Sequence, residues 1–410
     1  MIHKKVEGED HMSCPDTVTV IGGGRWARVM TEVLCTLVPL SVRISVHSLH
    51  NAESMSVWAV SQGIRERIHV SSQWPNYISG KSNAVIVVNA ARDHEKATEL
   101  ALIAGMPVLV EKPIALSGTQ AQRLYDLAMS RNTRFAAAHV FLFAKYLNNF
   151  STLISDTGKV RSFRVNWTDP KCDNRYGELK QYDPGLPILS DWLPHILSII
   201  SVLIHKPPEK CENMKVLKGG SHLEFDLKSG DIPCSVQLIR NSSQRRRIIE
   251  VEAGDKTFKL DFSKEPGNIT FGSTTISGDQ NWDVNKGPVA QMLTAFLTWA
   301  DGGAPDSRLN VEKGVHACKI IDQAFRLYRS ALMPCLISSL TSPVMVDDDL
   351  HYALSEMLQF EGSFSTNVIE EKIERVRQQF EKRIGTRLLK DLAETQDPGS
   401  LIRSIAMWSS

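Results

Sequence analysis

Thr17–Ile21 (TVTVI) is a run of β-branched and apolar residues that ends on three glycines and opens at once into RWARVMTEVL. This junction constrains the fold more than any other stretch. An unalternated apolar run of that length reads as a buried strand, and Trp26, Val29, Val33 and Leu37 then recur at helical spacing. Further apolar strands are expected at 42–46, 84–89, 108–110 and 134–138, with helices over 95–104 and 120–130 between the later ones. Strand–helix alternation without polar alternation in the strands is the pattern of a parallel sheet covered on both faces.

After residue 139 the grammar changes. Val160, Ser162, Val165 and Trp167 alternate with polar neighbours, and strand candidates follow at 223–227, 235–240, 248–253, 257–262 and 268–271. Turn residues such as Gly254-Asp255 and Pro266-Gly267 separate them, so this sheet is expected to be antiparallel. Helices at 190–203 and over 289–331 flank it. The expected fold class is an α/β Rossmann domain with a parallel sheet, followed by an α+β domain with a mostly antiparallel open sheet. The expected boundaries are 1–138 for dinucleotide binding, 139–333 for substrate binding and oligomerisation, and 334–410 for a C-terminal helical extension. In that extension 344–349 is acidic and 369–390 reads as a charged helix near heptad spacing.

Composition narrows the partners. Of 410 residues 42% are hydrophobic and 23% charged, and the formal net charge is +1. Such a balance gives no general attraction to nucleic acid or an anionic membrane, so a phosphate-bearing ligand needs a local site. No run of 18 apolar residues predicts a membrane span. The seven cysteines form no CxxC pair and the first residues lack an apolar signal segment, which predicts reduced thiols and a cytoplasmic location. No HExxH or paired histidine spacing points to a metal.

The chemistry-bearing residues fall at strand ends. Gly22-x-Gly24-x-x-Ala27 follows a strand and opens a helix, where a tight turn, close backbone approach and free N–H groups suit a pyrophosphate. Arg25 and Trp26 complete that turn. No Asp or Glu ends the second strand; His47 and Ser48 stand there, which favours NADP(H) over NAD(H), since a carboxylate would repel a 2′-phosphate. Asn89, His94, Glu111 and Lys112 lie at later strand ends and complete the candidate cofactor set. His94 either contacts the nicotinamide or caps the next helix. Lys112, before Pro113, is placed to hydrogen-bond a substrate oxygen; taken alone it also fits a surface Glu-Lys pair before a turn, and a cis peptide bond is one way for the proline to fix that turn. Asp191 and His195 share one helix face, with Pro194 expected within the first turn. They read either as a proton donor with its orienting carboxylate or as a capping Asp with a core histidine.

TVTVIGGGRWAR, NAARDHEKATELALIAGMPVLVEKPIAL, SDWLPHILSII and KGVHACKIIDQAFRLYRSA together resemble the Gfo/Idh/MocA oxidoreductase family, over about residues 18–331. The resemblance implies an NAD(P)-dependent enzyme with Lys112, Asp191 and His195 as catalytic residues. It implies hydride transfer between nicotinamide and a carbonyl or hydroxyl carbon of a sugar, cyclitol or nucleotide-sugar, in a homodimer or homotetramer. Two other readings stay open: an NADPH-dependent imine reductase acting on a biosynthetic intermediate held by a carrier-protein partner, and a non-catalytic dinucleotide-binding regulator. The chain departs from the family pattern at 139–144 and just before Asp191, two segments that shape the substrate pocket.

Overall fold

The computed structural model describes residues 14–77, 83–170, 172–175, 178–181 and 186–341, with a few more between 367 and 375. The first elements are β1 (Thr17–Ile21), α1 (Arg25–Leu37), β2 (Arg43–His47), α2 (Ala52–Ser61), β3 (Ile68–Ser71), β4 (Asn83–Val87), α3 (His94–Ile103), β5 (Val108–Glu111), α4 (Gly118–Ser130) and β6 (Phe135–Ala138). The six strands form one sheet in the order β3-β2-β1-β4-β5-β6, and every pairing is parallel. The order reverses between β1 and β4, the switch point off whose carboxyl ends ligands bind in such sheets. The inner strands are fully buried because helices cover both faces; Val18, Val20 and Val85 have no exposed surface. Their sequence accordingly lacks alternation.

Next come α5 (Lys145–Ser155), β7 (Val160–Pro170), a small hairpin of β8 (Cys172–Arg175) and β9 (Glu178–Gln181), and α6 (Ile188–Ile204). Strands β10 (Lys210–Leu217), β11 (His222–Ser229), β12 (Ile232–Ser242), β13 (Arg246–Ala253), β14 (Lys256–Asp261), β15 (Asn268–Phe271) and β16 (Thr274–Ser277) complete the set. Together with β7 they make an eight-stranded sheet ordered β10-β11-β12-β7-β13-β14-β15-β16. It is antiparallel except at β12·β7, whose parallel pairing the long crossover through α6, β10 and β11 allows. On β7 the residues alternate from Phe163 to Trp167: Phe163, Val165 and Trp167 are buried, while Arg164 between the first two is exposed.

Two helices close the described chain, α7 (Pro288–Ala300) and α8 (Glu312–Thr341). The chain divides into two compact units: Met1–Glu111, Arg123–Phe143 and Asp283–Glu312 in one, and Lys112–Gln122, Ala144–Trp282 and Lys313–Ser410 in the other. The Rossmann unit thus extends beyond the 1–138 boundary expected from the sequence. The physical reason is α7, whose buried Met292, Leu293 and Phe296 belong to a helix packed on α1 and β4. The expected features at 344–349 and most of 369–390 lie outside the described residues. No described helix is long and apolar enough to cross a membrane.

Candidate active site

The glycine turn is set by backbone contacts in the Rossmann unit. The Gly22 N–H donates to the His47 carbonyl at 2.9 Å, and Val88 N–H to the Ile21 carbonyl at 2.9 Å, so the turn is tied to the ends of β2 and β4. Gly22 has φ +144, and a Cβ there would lie 2.6 Å from the Val88 carbonyl oxygen. Only glycine fits. A Cβ on Gly23 would meet the Ser48 hydroxyl oxygen, whereas one on Gly24 would meet nothing within 4 Å. Gly24 is therefore the position that leaves an approach open. It is the N-cap of α1, gives no side-chain cap, and no acidic residue sits in the first turn. The free N–H groups and positive dipole end of α1 suit a pyrophosphate. Arg25 and Trp26 are half-buried in that turn, and Ala27 is fully buried beneath it. The cradle fits a dinucleotide.

Around this rim the other candidates differ in character. His47 ends β2 half-buried, its Nδ1 2.9 Å from the Gln73 carbonyl, and burial lowers its pKa below the usual histidine value. Ser48 is buried and its hydroxyl accepts the Asn51 N–H at 3.1 Å. His94 is 2% exposed, its Nε2 3.1 Å from the Asn89 carbonyl, which braces the turn between β4 and α3. Glu111 is buried at the end of β5.

The second unit holds the other cluster. Lys112 follows Glu111 directly in the chain, and its peptide bond to Pro113 is cis. The segment after it is fastened to α8: the Gly118 N–H donates to Asp322 Oδ2 at 2.8 Å and Lys319 Nζ to Gln122 Oε1 at 2.8 Å. A Cβ on Gly118 would lie 2.9 Å from that Asp322 oxygen and 3.1 Å from the Lys319 Cα, so the glycine permits the close approach to α8. So held, Lys112 Nζ donates to Asp191 Oδ1 at 2.9 Å and to the Asp191 carbonyl at 2.8 Å, across 79 residues of chain. The two side chains are 13% and 23% exposed.

Helix α6 begins at Ile188, so Pro194 lies inside it and beyond the first turn expected from the sequence. The reason is the apolar pair Ile188-Leu189, both fully buried, which extends the helix by two residues. The proline removes the N–H that would bond the Ser190 carbonyl and loosens the turn that presents the Asp191 carbonyl to Lys112. One turn beyond Asp191, the His195 ring stacks on Trp167 at 5.9 Å and 18°.

Sequence reasoning passed over the floor of this cluster. Arg240 Nη2 donates to Asp191 Oδ2 at 3.2 Å and to the Leu186 carbonyl at 3.1 Å. The Asp191 carboxylate thus lies between two cations. Arg240 is 2% exposed and lies 5.5 Å from the Trp192 ring centroid. Arg247 Nη2 pairs with Asp169 Oδ1 at 2.7 Å. The signal for both arginines was present: Cys234, Val236, Leu238 and Arg240 occupy alternate positions, as do Arg247, Ile249 and Val251, so each arginine falls on the buried face.

Among the described residues no group of His, Cys, Asp and Glu could hold a metal ion. Cys14, Cys35, Cys211, Cys234 and Cys318 are free thiols. Burial pushes Cys35 up to about 11 and Cys211, Cys234 and Cys318 to about 12, so none supplies a thiolate near neutrality. A groove of about 1020 Å³ in the Rossmann unit, lined by Asn83, Pro107 and Arg134 among others, lies at the amino ends of β4, β5 and β6, opposite the ligand-binding edge.

Residues 17–139 match the family described as an oxidoreductase family with an NAD-binding Rossmann fold, Gfo/Idh/MocA. That match covers the N-terminal part of the chain, less than half of its length. The matched residues are those of an NAD-binding Rossmann fold of an oxidoreductase family. No curated protein sequence matches the chain. Solved structures extend the likeness in fold to both domains. A levoglucosan dehydrogenase in complex with NADH and levoglucosan has a TM-score of 0.62 and 15% identity, covering 78% of this chain and 97% of its own. A UDP-N-acetylglucosamine 3-dehydrogenase from Acidithiobacillus ferrooxidans has a TM-score of 0.59 and 17% identity, covering 78% and 98%. A 3-ketoreductase from Actinomadura kijaniata, in complex with TDP-benzene and NADP, has a TM-score of 0.59 and 15% identity, covering 75% and 96%.

Proposed function

We propose that this chain catalyses hydride transfer between a nicotinamide and a carbon bearing a hydroxyl or carbonyl group on a small polar substrate of the sugar, cyclitol or nucleotide-sugar type. The observation that carries the reading is the bond from Lys112 Nζ to Asp191 Oδ1 at 2.9 Å, made by the residue that directly follows β5 of the Rossmann sheet. Gly22, Gly24, Arg25, Trp26 and Ala27 hold the dinucleotide's phosphates, His47 and Ser48 its adenosine ribose, and Asn89, His94, Glu111 and Lys112 the nicotinamide end. The dinucleotide, once bound, supplies or accepts the hydride.

The remaining work falls to Lys112, Asp191 and His195. The Lys112 ammonium donates a hydrogen bond to the reacting oxygen and stabilises the negative charge that develops there. Asp191, held by Arg240 from its other oxygen, aims that ammonium. His195 gives the oxygen its proton in reduction and takes it in oxidation. The names of two structural relatives, a levoglucosan dehydrogenase and a UDP-N-acetylglucosamine 3-dehydrogenase, support the sugar-type substrate.

NADP(H) is the preferred cofactor. The absence of a carboxylate at the end of β2 supports this, as do two side chains there, His47 and Ser48, that can donate to a phosphate. The test is turnover of the purified full chain against sugars, cyclitols, nucleotide-linked sugars and cyclic imines, each with NADH and NADPH. The expected result is turnover of a sugar-type compound, faster with NADPH. Turnover of imines alone would replace the substrate class. Tight dinucleotide binding with no turnover would make the chain a binding protein.

A further inference from the structure

We propose that Trp167, backed by the buried Arg247–Asp169 pair, is the positioning residue for the His195 imidazole. The inference rests on the reading of His195 as the residue that moves the proton.

Trp167 and Asp169 occupy alternate positions on β7 and therefore share the inward face of the sheet. Arg247 is the register partner of Trp167 on the neighbouring strand β13. Its guanidinium carbon lies 4.0 Å from the centroid of the Trp167 ring, which is van der Waals contact with a π face. That guanidinium is itself fixed. It donates to Asp169 Oδ1 at 2.7 Å, to the Thr168 carbonyl at 2.7 Å and to the Arg246 carbonyl at 2.8 Å. Phe262 meets the indole edge-on, with centroids 6.0 Å apart at 73°. Trp167 and Arg247 are only 2% and 3% exposed.

Two planar groups, then, pin the indole, and a buried ion pair pins one of them. A buried pair is costly to desolvate and is a poor way to fill a core, but its directional bonds fix one geometry. The consequence reaches α6, where the imidazole of His195 lies nearly parallel to that indole. Among the described residues, the charged groups around this part of the site are Asp191 on α6, Lys112 after β5, Arg240 on β12, Arg247 on β13 and Asp169 on β7. Asp191 is engaged by Lys112 and Arg240, and from the sheet side the His195 ring meets the face of Trp167.

The experiment follows tryptophan emission of the full chain, without added ligand, as pH falls from about 8 to about 5 through the histidine range. A protonated imidazole stacked on an indole quenches it; a neutral one does so far less. The wild type is expected to lose part of its emission on acidification. H195Q is expected to lose that component, and D169N to reduce it. Turnover is measured beside it: W167L keeps an apolar side chain but not the ring and is expected to lower kcat about 10- to 100-fold with dinucleotide affinity unchanged, and W167F to restore most of it. If W167L fails to fold by circular dichroism, the kcat of D169N carries this arm. Identical emission profiles for wild type and H195Q, or unchanged kcat in W167L or D169N, would overturn the proposal. A stack detected by emission in a protein that turns over no substrate supports the brace and breaks the functional reading alone.

Discussion

The glycine turn at 22–24 and the floor of the second domain are built in opposite ways. The turn is made of backbone: a φ that only glycine tolerates, N–H bonds to neighbouring strand ends, and an open face at Gly24. The floor is made of long side chains from separate stretches: Lys112, Asp191, Arg240, Trp167, Arg247 and Asp169, drawn from a loop, a helix and three strands. A site of the first kind is written in consecutive residues. A site of the second kind exists only once the sheet register has brought its members together, and removing one of its charged members leaves an opposite charge without that partner.

That contrast predicts different responses to substitution. The largest effect is expected for K112A, which removes the ammonium proposed to meet the reacting oxygen: turnover falls by about 10²- to 10⁴-fold while dinucleotide affinity, measured by titration, is retained. R240M comes next. Taking one partner from a buried pair costs about 3–5 kcal/mol, toward the lower end here because Asp191 keeps some solvent, and it is read as a lower urea midpoint. The glycines should then separate. G22A forces a Cβ against the Val88 carbonyl and lowers the Tm, with about 1–3 kcal/mol from φ alone. G24A, with φ −80 and open space, leaves the Tm intact and weakens dinucleotide binding about tenfold. A G24A protein that bound normally would break the comparison at its simpler end.

The smallest effect is at His47. Burial holds its pKa below the ordinary value of 6.5, so between the two values the unfolded chain binds more protons than the folded one. Stability therefore rises with pH through that window and is lost on acidification below 6.5. H47Q should flatten the acid limb of a Tm–pH profile in part only, since burial lowers His222 in the same sense. H47Q should also narrow the preference for NADPH.

Much of the scaffold was legible in the sequence because unalternated and alternated apolar runs report different burial. β1, β4, β5 and β6 were visible as buried runs, and β7, β12 and β13 as alternating ones. β16 escaped because all four of its residues are exposed, and β10 because Asn213, at φ +54, breaks its pairing at a bulge and with it the alternation. The positions of Lys112, Asp191 and His195 could be named from strand ends and helix spacing. That the lysine meets the aspartate follows from tertiary structure, through the fastening of 112–122 to α8. Arg240 was within reach, being on the inward face of a strand whose alternation was plain, but a charged residue in a core position has no local partner to announce it.

The central claim is that Lys112 and Asp191 act as one device. The direct measurement is a double-mutant cycle on kcat with K112A, D191N and the double variant, using the substrate and cofactor that the wild type turns over best. The account predicts that the double variant is about as slow as the slower single one, because each substitution already disables the pair. Fully multiplicative losses would show two residues working independently and would contradict it.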